Sequence, residues 1–146
     1  EALPRTGILP EEALPLLRSR ALLLGRLGRD SDALSAWETY LRHRPGDVEG
    51  RIEWLRLLLT SRHTSIVLKE AEKLLQEELS PGLKDAVRLL QGVALLEESQ
   101  FAQASTVLEQ VASRNAQLPS GEDLWIYATF YLGWAHYRLG ICINPS

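Results

Sequence analysis

The most constraining feature of this chain is a helix-forming segment that recurs along it. An apolar run that ends in glycine at residues 22–28 is followed by small and aromatic residues at helical spacing. Related segments lie at 92–96 and 131–140, and with a degenerate copy between the first two the repeats are spaced about 34 to 41 residues apart. Repeats of this length are typical of stacked helical hairpins, which present an extended surface and rarely an enclosed catalytic pocket.

The spacing of apolar residues predicts seven helices and no strand. Residues 30–32 and Asp47 provide N-cap side chains for the second and third helices, and Ser80 before a proline starts the fifth. Ser99 is expected to begin the sixth helix, and a capping box at Ser120 and Asp123 the seventh. The first helix is expected to carry an apolar stripe made of Leu16, Leu17, Leu23, Leu24 and Leu27. We therefore predict an all-α domain with an irregular lead-in at 1–14, hairpins at about 15–45, 47–79 and 81–115, a last helix at 121–140 and a tail at 141–146.

Composition disfavours several classes of partner. The net charge is -3 and the pI about 5.6, whereas nucleic-acid-binding domains favour a basic face that neutralises phosphates. No apolar run approaches the roughly 18 residues of a membrane-spanning helix, so membrane insertion is not expected. The single cysteine, Cys142, cannot form an internal disulfide. The compartment stays open, with the cytoplasm favoured over the periplasm.

No residue pattern predicts catalysis. The three histidines, His43, His63 and His136, are scattered and have no nucleophile or metal-ligand set at suitable spacing. Neighbouring glutamates such as Glu97 and Glu98 diverge by about 100° on a helix and do not form a carboxylate dyad. We expect no enzyme activity, no metal and no cofactor.

The repeated segments resemble the tetratricopeptide repeat, a helix-turn-helix unit of about 34 residues. The matching positions of the first repeat are Leu17, Ala21, Leu24, Gly28, Ala33, Trp37, Tyr40 and Pro45. Those of the third repeat are Arg88, Gly92, Leu95, Ser99, Ala104, Leu108 and Val111. The second repeat departs from the pattern, because residues 62–63 replace the glycine of the turn, and the fourth has a first helix only. The resemblance implies a right-handed α-α superhelix of about three and a half hairpins.

The resemblance also implies a concave groove lined by the first helix of each hairpin. The positions that would face this groove are Arg18, Leu22, Arg26, Ile52, Arg56, Leu59, Leu89, Val93 and Leu96. The last helix adds Tyr127, Phe130, Trp134, Tyr137 and Arg138. The four aromatic residues are three or four positions apart, so they form one stripe along that helix.

Two interpretations of the aromatic stripe stay open. It is either an anchor surface for a partner peptide or helix, or a face that packs on an eighth helix or on residues 1–14. In both cases an uncovered stripe would let two copies dimerise or exchange segments through the last helix.

The arginines in the groove also have two interpretations. Arg18, Arg26 and Arg56 either hold an acidic peptide through bidentate pairs or form an ordinary solvated face. Some members of the family clamp a chaperone's terminal carboxylate with lysine and asparagine, but the matching places here are Arg18 and Leu22, which disfavours that use.

The function predicted from these patterns is a protein-protein interaction module or scaffold that binds a partner peptide or helix. The alternatives are a chaperone that holds an extended segment of an exported protein, and a structural self-association domain.

Overall fold

The structure is a computed structural model that describes residues 10–113 and 124–140. Within these ranges the chain forms seven α-helices and no strand, which confirms the predicted all-α class. The helices are α1 (Ala13–Arg26), α2 (Asp30–His43), α3 (Val48–Thr60), α4 (Thr64–Leu75), α5 (Pro81–Glu97), α6 (Phe101–Ala112) and α7 (Leu124–Arg138). The predictions for the first nine residues, for the capping box at Ser120 and Asp123 and for the tail at 141–146 lie outside the described residues.

The chain divides into two compact units, Glu1–Leu57 and Leu58–Ser146. In the first unit α1 packs against α2. Its buried core contains Leu14, Ala21, Leu24, Ala33, Ala36, Trp37 and Tyr40. Trp54 and Leu57 of α3 pack against this core while remaining partly exposed. Burial of these apolar side chains is the main source of stability for the hairpin.

In the second unit, helices that follow one another in sequence are neighbours in space. α4 packs on α5, α5 on α6 and α6 on α7, and α7 also contacts α5. The inner face of α7 is built from small residues, since Ala128 and Ala135 are both 0% exposed. Small side chains allow close approach of two helices, and Leu108 and Val111 of α6 fill the space around them.

One backbone turn recurs at four helix ends. Gly28, Arg62, Ser99 and Gly140 all have a positive φ, between 61° and 76°. At the first three, the N–H of the next residue donates to the carbonyl five positions back: Arg29 to Leu24, His63 to Leu58 and Gln100 to Leu95, each at 2.9 Å. This is the Schellman arrangement, in which a left-handed residue ends the helix. The turn therefore recurs with the period of the sequence repeat, including at Arg62, where the expected glycine is missing.

Two of the predicted helix caps are confirmed. The N–H of Gly50 donates to Asp47 Oδ1 at 3.0 Å, and the N–H of Leu83 donates to Ser80 Oγ at 3.4 Å. The cap predicted at residues 30–32 is wrong, because Arg29 is the N-cap residue of α2 and its side chain makes no cap hydrogen bond.

Ser99 also departs from its predicted role. It does not begin α6, because it is the left-handed residue that ends α5, and α6 begins at Phe101. A serine between two helices can be either the cap of the second helix or the last residue of the first, and the sequence pattern does not distinguish the two.

The leucine stripe predicted for α1 is only partly buried. Leu24 lies in the core, but Leu16, Leu23 and Leu27 are 73%, 58% and 65% exposed. The buried face of α1 runs instead through Leu14, Ala21 and Leu24, under α2. α1 contains more leucines than one buried helix face accommodates, so part of the apolar surface faces outward.

We expect Ser99→Gly to raise the free energy of unfolding by about 1 kcal/mol, because a left-handed conformation is strained for every residue with a Cβ. The reverse substitution, Gly28→Ser, is the control, because it introduces the same strain at a residue with positive φ. It should lower the free energy of unfolding by a similar amount. Urea unfolding of the three proteins measures both changes. A decrease in stability of the Ser99→Gly variant would contradict the turn assigned here.

Candidate functional site

The outer face of α7 exposes an aromatic surface. Its members, which we call the aromatic face, are Tyr127, Phe130, Trp134 and Tyr137, with exposed fractions of 54%, 70%, 47% and 72%. They lie opposite the buried alanines of the same helix, so α7 is apolar on both sides. An amphipathic surface helix normally carries mostly polar side chains on its outer face, whereas the exposed side chains of α7 are mostly aromatic or aliphatic and include only Thr129 and Arg138 as polar residues besides the two tyrosines.

Ring contacts hold part of this face in place. Trp134 and Tyr137 stack with centroids 5.7 Å apart and an interplanar angle of 27°. The Arg138 guanidinium carbon lies 5.9 Å from the Trp134 ring and 4.8 Å from the ring of Phe101 on α6. An arginine stacked on rings keeps its in-plane N–H groups available as donors. The end of the aromatic face thus carries a positioned cation.

Gly133 lies among these aromatic side chains. A Cβ added there would meet no other heavy atom within 4 Å. The position is exposed, and it is flanked in sequence by Leu132, which packs inward, and by Trp134, which points outward. Gly133 is thus an exposed position without a side chain at one edge of the aromatic face, next to Phe130 and Tyr137.

In the first unit, the predicted carboxylate-binding residue Arg18 is already paired with a carboxylate of its own chain. Arg18 Nε donates to Asp47 Oδ2 at 2.9 Å, and the Tyr40 hydroxyl donates to the same oxygen at 2.8 Å. The Arg18 guanidinium also lies 5.8 Å from the centre of the Trp37 ring. The cluster joins α1, α2 and the start of α3, so its evident role is structural.

The hydrogen bonds of this cluster favour the ionised form of the Asp47 carboxylate. Burial alone would raise the pKa of Asp47, but hydrogen bonds from the Gly50 N–H, Arg18 and Tyr40 outweigh it and the pKa lies below the usual 3.8. The hydrogen bond to Asp47 raises the pKa of Arg18, and burial with the same carboxylate raises the pKa of Tyr40. At neutral pH the carboxylate is ionised and accepts three hydrogen bonds.

The other predicted groove residues differ in their exposure. Ile52 and Leu96 belong to the core, at 6% and 9% exposed. The half-buried positions are Leu22, Leu59, Leu89 and Val93. Arg26 and Arg56 are exposed, and Arg56 Nη1 lies 3.7 Å from Glu53.

The predicted set is also divided between the two units. Five of its members lie in the first unit, namely Arg18, Leu22, Arg26, Ile52 and Arg56, and the remaining nine lie in the second. The five predicted residues of α7 are the ones that the structure brings together on an exposed helix face.

A groove that sequence reasoning missed lies between α1 and α2. It has a volume of about 500 Å³, and its lining includes Leu16, Arg20, Ser35 and Thr39. The excess of leucines on α1 is the sequence signal that could have indicated it.

A second missed feature is Asp85, which is 0% exposed in α5 and accepts a hydrogen bond from Arg88 Nη1 at 3.3 Å.

Within the described ranges, no three His, Cys, Asp or Glu side chains are grouped so that they could hold a metal ion. His43 Nδ1 lies 2.9 Å from the Thr39 carbonyl, in the last turn of α2, as expected for a histidine at a helix C-terminus. In the part of the chain that the structure describes, no helix combines the length and apolar character that crossing a membrane requires.

Comparison with known proteins found no match among family models, curated proteins or solved structures.

Proposed function

We propose that this chain is a protein-protein interaction module whose hairpins stack as in a tetratricopeptide-like superhelix of about three and a half hairpins, and that the aromatic face of α7 is part of its binding surface. Two features support the stacking. The Schellman turn recurs along the chain with the period of the sequence repeat. Helix α4 packs on α5, α5 on α6 and α6 on α7.

The observation that carries the proposal is the aromatic face. Large apolar patches on a protein surface mark interaction sites, and the residues that dominate binding energy at interfaces are enriched in Trp, Tyr and Arg. Here a tryptophan, two tyrosines and a phenylalanine are exposed on one helix, with an arginine at its end. This composition supports a partner protein more than a small-molecule substrate, since the face is open and α7 contains no Asp or Glu.

The proposal is tested by photo-crosslinking from the face itself. We expect a photoreactive phenylalanine analogue at Phe130 to form covalent adducts with another protein, because this side chain is 70% exposed in the centre of the face. The second substitution Tyr137→Ala should reduce adduct yield about tenfold, as expected for a residue that dominates binding.

The matched control carries the same analogue at Ile66 of α4, an isolated apolar residue that is 41% exposed. Ile66 should give no comparable adduct. Equal yields from both positions would contradict a specific surface on α7.

Self-association through the same face is the second candidate, favoured by the exposure of an apolar helix surface. In that case the adducts from Phe130 would contain a second copy of the chain. Sedimentation equilibrium would then show a dimer for the wild type and a monomer for Trp134→Ala.

A further inference from the structure

We draw no further inference here: the strongest candidate, the exposed leucine face of α1 formed by Leu16, Leu23 and Leu27 beside the groove between α1 and α2, is an unpartnered apolar surface, and nothing in the structure shows what covers it.

Discussion

Alanine at position 92 is expected to lower the free energy of unfolding by about 2 kcal/mol, although alanine forms helices better than glycine does. The added Cβ would lie 2.5 Å from Leu108 Cδ2, well inside van der Waals contact. Leu108 is 0% exposed, so it has no open space to move into. Urea unfolding followed by circular dichroism measures the change.

Gly133→Ala is the matched control for this prediction. Position 133 lies seven residues before the left-handed residue Gly140, just as position 92 lies seven residues before Ser99. At position 133, however, nothing lies within 4 Å of the new Cβ. Alanine there should raise the free energy of unfolding by about 0.5–1 kcal/mol through helix propensity alone. Combining Gly92→Ala with Leu108→Ala should be less harmful than the two single changes added together, since the second removes the clash. Equal stabilisation by alanine at both positions would contradict the close contact between α5 and α6.

Asp47→Ala should lower the free energy of unfolding by about 3 kcal/mol, which is at least as much as Gly92→Ala. The change removes the N-cap of α3 and leaves Arg18 and Tyr40 without the carboxylate oxygen to which both donate. Asp32→Ala is the control, because Asp32 forms only an exposed ion pair with Arg29, three residues away. This variant should lose less than about 1 kcal/mol of unfolding free energy. Similar losses in both variants would show that the Asp47 cluster does not stabilise the first unit.

The contribution of Asp47 should also depend on pH. Its pKa is lower in the folded protein than the usual 3.8, so the unfolded state binds the proton first as the pH falls. The stabilisation is therefore complete well above pH 3.8 and is lost progressively as the pH drops through the lower, folded-state pKa. The difference in unfolding free energy between wild type and Asp47→Asn should shrink over that acidic range and stay constant near neutrality. A difference that grows as the pH falls would contradict the direction of the shift.

The sequence predicts the helices well because their periodicity and some of their caps are local properties. Ser80 and Asp47 cap helices as expected, since a side chain three residues from its N–H partner can be read from the chain. Ser99 could not be assigned in this way, because the left-handed conformation that it adopts is imposed by the turn and not by its own preference.

The candidate site shows the same division between local and tertiary properties. The aromatic stripe of α7 follows from residue spacing, and the structure shows that it is exposed. The partnership of Arg18 with Asp47 joins positions 29 residues apart, which no local pattern indicates. The exposure of Leu16 and Leu23 likewise depends on which face of α1 is under α2.

The most direct test of the account is hydroxyl-radical footprinting of the isolated chain, comparing two tyrosines. Tyr137 is 72% exposed on the aromatic face, whereas Tyr40 is 7% exposed in the core of the first unit. Because both are tyrosines, their intrinsic reactivity is the same and the oxidation rates report access by solvent. We expect Tyr137 to be oxidised several times faster than Tyr40, because its side chain is open to solvent. Oxidation of Tyr137 as slow as that of Tyr40 in the free chain would contradict an open binding face on α7.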